Sequence, residues 1–370
     1  MRIRGAVLEE IGRPRPYADS APIRISELEL DDPEAGELLV RIEAAGLCHS
    51  DLSVVDANRV RPVPMLLGHE AAGIVEAVGP GVADVSTGDR VVMTFLPRCG
   101  ECAACATDGL TPCTVGSAAN NEGTLLGGGS RIHRGTELVS HHLGVSGFAT
   151  YAVVNRRSVV PVPLEVPPDV AAVLGCAVLT GGGAVLNAGR PSVGQRVVVV
   201  GLGGVGMAAL LTALALDGLE VVGVDAVPEK LSRALELGAH AALTPHEARE
   251  SGISAPVVIE AAGAVPAFEL ALALTGPGGR TVTVGLPAPT AMASVSPLAL
   301  VAGGRSIIGS YLGSAVPARD IPAFVDLWRA GRLPVEELIT ETIALEDVNA
   351  GMDRLADGLA IRQVIRFDGD

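Results

Sequence analysis

Val197-Val198-Val199-Val200 runs directly into Gly201-Leu202-Gly203-Gly204-Val205-Gly206, and an apolar helical stretch follows over residues 207–216. A buried strand, a glycine-rich turn and a helix in immediate succession narrow the folds open to this chain more than any other feature. Gly201 permits the tight turn, Gly203 lets the backbone approach a pyrophosphate, and Gly206 lets the helix pack closely on the strand. Gly204 and Val205 complete the phosphate turn, where unpaired N–H groups and the helix dipole favour an anion. Asp225 ends the next strand, 19 residues after Gly206. Its carboxylate can bind both ribose hydroxyls and would repel a 2′-phosphate, so the expected cofactor is NAD rather than NADP. Lys230 can add a ribose or phosphate contact. The alternative reading is a glycine-rich turn in an ordinary α/β fold.

Alternation continues on both sides of this motif. Strands are expected at 197–200, 221–224, 241–243, 257–260, 281–284 and 306–308, with helices at 206–216, 228–237 and 266–275. Six strands with intervening helices predict a doubly wound parallel sheet. Before about residue 160 the chain carries short Val-, Gly- and Pro-rich runs, split by Gly79-Pro80-Gly81 and Thr87-Gly88-Asp89. These predict a compact β-rich domain. A helix is expected over 169–179, helices at 320–330 and 345–355, and a last strand at 361–366. The predicted domains are 1–177, 178–312, and a return to the first domain over 313–370.

Bulk properties exclude several functions. A net charge of −15 disfavours nucleic acid and anionic membrane surfaces as partners. Met1-Arg2-Ile3-Arg4-Gly5 shows no apolar run or cleavage signature, so no signal peptide is expected. The longest clearly apolar helical stretch, 207–216, is far short of the roughly 20 residues needed to cross a bilayer. A soluble cytoplasmic protein is expected. Aromatics are only 2%, so the core must be built from Val, Ala, Leu and Ile.

All six cysteines fall into two patterns. Cys99, Cys102, Cys105 and Cys113 form C-x2-C-x2-C-x7-C, a spacing that suits a closed four-thiolate zinc site. The last spacing disfavours an iron–sulfur cluster, and disulfide pairing is the other alternative. Cys48 and Cys176 lie far apart, with Gly68-His69-Glu70 between them. Two thiolates and an imidazole leave a fourth position open, as a catalytic zinc requires. A lone buried cysteine such as Cys176 is otherwise more often a packing residue.

Cys48-His49-Ser50-Asp51, Gly68-His69-Glu70, the four-cysteine lobe, Gly175-Cys176 and the glycine-rich turn occur in this order. The sequence therefore resembles the zinc-dependent alcohol dehydrogenases of the medium-chain dehydrogenase/reductase family over nearly its whole length. About 27 residues separate Cys113 from His141-His142, which makes it similar to the longer, dimeric forms. The resemblance implies a GroES-like catalytic domain, a Rossmann domain, a homodimer, NAD and two zinc ions per chain. It implies Cys48, His69 and Cys176 as catalytic zinc ligands, with Glu70 as a nearby acid or alternate ligand and Asp51 orienting His69. His49, Thr180, Val284, Leu286 and Arg362 would contact NAD, His49 and Arg362 at the pyrophosphate. Phe95 and Phe148 would line the substrate pocket.

The reaction implied is interconversion of an alcohol with its aldehyde or ketone by hydride transfer, zinc acting as Lewis acid and Ser50 taking the alcohol proton. Many members carry a histidine five residues after the first zinc cysteine; here it is Ser53, which cannot buffer a proton near neutrality. The relay is expected to end in water or His49. A thiol-adduct formaldehyde dehydrogenase is the second reading, weakened by Ser117 where that branch has a basic residue. A catalytically idle nucleotide-binding member is the third. His133, His141, His142, His240 and His246 match no ligand pattern and read as surface or packing residues.

Overall fold

The computed structural model describes residues 1–367, which form two units. One comprises Met1–Cys176 with the segment from Ile339 onward; the other is Ala177–Leu338.

In the first unit the strand Glu37–Leu47 buries Leu38, Val40 and Ile42 while Arg41 and Glu43 stay partly exposed. That alternation, set by the two-residue period of a strand, puts one face on the core. The strand is central to a seven-stranded sheet. It pairs antiparallel with Ala71–Val78, Tyr151–Asn155 and Gln363–Arg366. The last pairing returns the chain's end to this unit. Arg2–Leu8, Ile23–Leu30, Ile132–Arg134, Glu137–His141 and Met65–Leu66 close a separate five-stranded barrel.

The second unit holds a six-stranded sheet with all pairings parallel. Arg196–Val200 lies between Glu220–Val224 and Ala255–Glu260, and Ala241–Leu243, Thr275–Thr283 and Ser306–Gly309 complete it. In sequence terms the order is third, second, first, fourth, fifth, sixth, the doubly wound arrangement. Val197, Val198 and Val199 are fully buried, which explains an unbroken valine run rather than an alternating one. Helices Pro245–Glu250 and Pro297–Gly303 were not expected; at six and seven residues they are too short to show a period.

Two expectations are corrected. The helix expected over 169–179 continues as a 22-residue helical run, Pro168–Gly189. Among the described residues this, not 207–216, is the longest apolar helix, and it is long enough to cross a membrane by length and composition; it is largely buried within the protein. Gly181, Gly182 and Gly183 lie inside it because nothing larger fits: a Cβ would meet Val205 O at 2.2 Å, the Phe324 ring at 2.5 Å and Gly313 O at 2.5 Å. The boundary expected at 313 also falls later. Helix Pro317–Arg329 packs Phe324 on Gly182, and the Asn187 amide donates to Gly313 O and Asp320. Residues 313–338 therefore stay with the second unit.

Candidate active site and metal centres

The strand Glu37–Leu47 ends at Cys48, which caps the helix His49–Val55. Asp51, third in that helix, reaches back: its Oδ2 accepts from the Cys48 N–H at 3.1 Å, the reciprocal bond of a capping box. Its Oδ1 accepts from Gly68 N–H at 3.2 Å and faces His69 Nδ1 at 3.0 Å. One buried carboxylate thus ties the Cys48 turn to the His69 loop. Burial pushes the Asp51 carboxyl up, but the His69 and His142 rings outweigh it and hold it at about 2. With Nδ1 engaged, His69 turns Nε2 toward Cys176 Sγ, 3.5 Å away.

Cys176 sits in a wide helical turn, Leu174–Val178. Gly175 lets that turn press on Met93, where a Cβ would come within 2.0 Å of the carbonyl oxygen. The Cys176 and Cys48 sulfurs are 4.0 Å apart. Donor atoms of Cys48, His69, Glu70 and Cys176 all lie within 4.8 Å of one another, and all four residues are buried. Both Glu70 oxygens lack a hydrogen bond. Burial lifts the Glu70 carboxyl to about 8 against the pull of Arg362, whose Nη1 is 3.3 Å from Oε2. Gly46 makes room for this carboxylate; a Cβ there would stand 2.7 Å from Oε1.

The lobe is built differently. Cys99 and Cys105 sulfurs are 3.9 Å apart, as are those of Cys102 and Cys113. Backbone N–H groups of Cys99, Gly100, Cys102 and Gly116 donate to these sulfurs at 3.3–3.4 Å. A disulfide would need roughly 2.05 Å. Thiolates on a tetrahedral zinc at roughly 2.3 Å sit about 3.8 Å apart, close to the separations in both clusters. Charge leads to the same fit. Hydrogen bonds from Thr114 pull the Cys102 thiol to about 5, while burial pushes Cys105 up to about 12. In the other cluster the Cys176 hydrogen bond favours Cys48 as thiolate and keeps Cys176 protonated. All the sulfurs can ionise together only beside a cation. The residues present fit zinc at both places.

At the glycine-rich turn, Gly201 has φ +90° and helix Gly204–Leu214 begins without a side-chain cap. A Cβ on Gly206 would lie 1.7 Å from Gly201 O, while one on Gly203 would meet nothing within 4 Å. Gly206 serves packing and Gly203 faces open space. Asp225 Oδ2 accepts from Leu202 N–H at 2.6 Å and Oδ1 from Val227 N–H at 2.9 Å. The acid thereby shapes the turn while keeping lone pairs for a ribose. Lys230 and Val284 are partly exposed, Leu286 exposed, and Thr180 buried in the same unit.

Other predicted residues fall unevenly. Phe95 stands edge-on to His69, ring centroids 5.5 Å apart. Phe148 does not line a pocket: it is fully buried in the main core, its ring against Gly68, because its backbone N–H is fixed to Leu67 O. Arg362 is buried, donating to Leu47 O at 2.8 Å beside Glu70. Ser50 is half-buried and His49 exposed at the helix start, and the Ser53 hydroxyl donates to His49 O at 2.6 Å. His142, read as a surface or packing residue, is buried with Nδ1 3.0 Å from Asp51 Oδ1. Only its apolar neighbours hinted at burial; no spacing pointed to Asp51. His141 is buried too, its Nε2 accepting from Arg131 N–H at 3.3 Å.

Comparisons with known proteins agree with this architecture. Residues 34–164 match the alcohol dehydrogenase GroES-like domain family, and 204–329 the zinc-binding dehydrogenase family. The chain is 37% identical to an NDMA-dependent alcohol dehydrogenase of Amycolatopsis methanolica, with all of both chains covered. It superposes on an alcohol dehydrogenase zinc-binding domain protein from Burkholderia ambifaria with a TM-score of 0.91 at 32% identity, each chain fully covered. Benzyl alcohol dehydrogenase of Acinetobacter calcoaceticus gives 0.90 at 29% identity, again over the whole of both chains. With a thiolate-rich cluster in one unit, a nucleotide turn in the other and full-length likeness to such enzymes, this chain belongs to the zinc-type medium-chain alcohol dehydrogenases.

Proposed function

We propose that the protein interconverts an alcohol with its aldehyde or ketone by hydride transfer to and from NAD. The observation that carries this is the buried Cys48–His69–Glu70–Cys176 donor set, in which a carboxylate is left without a hydrogen bond. Cys48, His69 and Cys176 would hold the catalytic zinc, and the four lobe cysteines a structural one. When bound, the zinc supplies Lewis acidity that favours the deprotonated alcohol, and NAD accepts the hydride.

The chain's own groups do the rest. Asp51 fixes the His69 tautomer so that Nε2 is free to ligate. Ser50 Oγ takes the alcohol proton. Ser53 is committed to the His49 carbonyl, so the proton leaves through water or the His49 ring. Gly201–Gly206 and Asp225 would bind NAD. Phe95 presents an apolar wall, which suits an aromatic or medium-chain primary alcohol; the likeness to a benzyl alcohol dehydrogenase supports this choice.

One relative's name favours a second reading, in which turnover also needs NDMA. The test is a panel of benzyl and medium-chain alcohols assayed with NAD alone, NDMA alone and both. NADH formation with NAD and benzyl alcohol supports the first reading. Turnover only when NDMA is present supports the second, and no oxidation of any alcohol contradicts both. Activity confined to a formaldehyde–thiol adduct would move the protein to the thiol-dependent branch.

A further inference from the structure

Two buried imidazoles converge on one carboxylate oxygen. Asp51 Oδ1 lies 3.0 Å from His69 Nδ1 and 3.0 Å from His142 Nδ1, and none of the three side chains is more than 1% exposed. The rings stand edge to face, centroids 5.4 Å apart with an 88° interplanar angle. The backbone fixes where the second ring lies. His142 N–H donates to Ser146 Oγ at 3.0 Å, and that hydroxyl donates to Leu66 O at 2.9 Å. His142 Nδ1 has no aligned hydrogen-bond partner, and Asp51 Oδ1, 3.0 Å away, is the acceptor it stands against.

We propose that His142 is a positioning residue for the metal-binding face of His69, acting through Asp51. The inference rests on the reading of His69 as a ligand. Asp51 Oδ2 is held by the Cys48 N–H, and Oδ1 by Gly68 N–H and His69. The His142 ring, with Nδ1 3.0 Å from Oδ1, packs against that oxygen and stops the carboxylate from swinging with the His69 ring. His69 Nε2 then keeps one direction, toward Cys176 and Cys48.

The same three residues offer donor atoms within 4.8 Å of one another. A cation among them is disfavoured, because it would need the His69 Nδ1 already bound to Asp51 and a carboxylate already filled by two backbone N–H groups.

The test follows zinc, not turnover. Zinc content and its release to a chelating dye are measured for the wild type, His142→Leu, His142→Asn, His142→Gln, Asp51→Asn and the Leu/Asn double variant. The wild type should hold two zinc ions per chain. Partners behind metal ligands are typically worth 10- to 100-fold in affinity, so His142→Leu should speed release of one zinc about 10-fold and leave the other unchanged. Asn can place an amide N–H near the Nδ1 position and should stay within about 3-fold of wild type, whereas Gln reaches past it and should behave like Leu. Should the Leu variant fail to fold, the Asn–Gln pair carries the same contrast. In the Asp51→Asn background, adding His142→Leu should change release by less than about 2-fold, because the two act as one path.

Wild-type release from both the Leu and Gln variants overturns the proposal. So does an undiminished effect in the Asp51→Asn background, which would mean packing alone, or a third metal lost with His142. A wild type that holds only the lobe zinc overturns the cluster reading itself, and the inference with it.

Discussion

The lobe and the buried cluster use the same element of chemistry, the cysteine sulfur, and solve opposite problems. The lobe gathers Cys99, Cys102, Cys105 and Cys113 from 15 consecutive positions, the first three half-exposed and Cys113 buried, with backbone N–H groups on its sulfurs. The other cluster gathers Cys48, His69, Glu70 and Cys176 from three distant segments into full burial, and leaves a carboxylate without a hydrogen bond. A local, satisfied set of four like ligands closes around a metal. A mixed, remote set keeps capacity in reserve. On the proposed function, the first would hold the fold and the second would change partners during the reaction.

The comparison can be broken first at Cys176. Cys176→Ser should lower kcat/KM by about 10³-fold or more, since Lewis-acid stabilisation worth several kcal/mol is lost, while the thermal midpoint changes little. Equal loss of stability and activity would erase the distinction. The converse variant, Cys105→Ser, should cost stability. A loss of about 3 kcal/mol would lower the midpoint by roughly 6–12 °C, with kcat/KM per folded molecule within about 3-fold. Asp225→Ser removes an acceptor for Leu202 N–H as well as the ribose partner. It should weaken NAD binding by about 10-fold, as expected for a lost charge-assisted hydrogen bond, and narrow the preference over NADP. Calorimetric titration with both nucleotides checks it.

A smaller effect comes from His141, which ties the lobe to the barrel: its N–H donates to Gly123 O, just past the helix Thr114–Glu122 that follows Cys113. Burial holds the ring's pKa down to about 3, against about 6.5 when unfolded. Below about 6.5 the unfolded chain binds a proton that the folded one refuses. Stability from this group is therefore complete above that pH and falls as pH drops toward 3, by up to about 1.4 kcal/mol per unit. Urea midpoints at pH 7 and 5.5 should differ less in His141→Gln than in wild type. The least effect is expected from Ser53→His, a change of about 2- to 5-fold in the acid limb of the pH–rate profile. An unchanged profile would show that position 53 is outside the proton path.

Sequence legibility follows the same divide. Lobe and glycine-rich turn are written in short spacings, and each stands assembled in the structure. The parallel sheet was legible because valine runs and helical stretches alternate at full length. Residue type alone joined Cys48, His69 and Cys176 only as one candidate set, and the resemblance carried it further, since their meeting depends on long-range pairings and on Gly175 against Met93. His142 was missed because a histidine in an apolar run carries no spacing to a partner 91 positions earlier. Phe148 was misplaced because an aromatic near a site and one in the core look alike in sequence. The Pro168–Gly189 helix was cut short because its glycines signal a stop locally and close contact globally.

On the proposed function, one zinc belongs to each cluster and only the buried one serves the reaction. The most direct measurement is zinc content by mass spectrometry of fully metallated wild type beside Cys176→Ser, each assayed for alcohol oxidation. Two zinc ions and activity are expected in the wild type, against one zinc and no activity in a folded variant. Two zinc ions and wild-type turnover in Cys176→Ser, or a single zinc in the wild type, would contradict it.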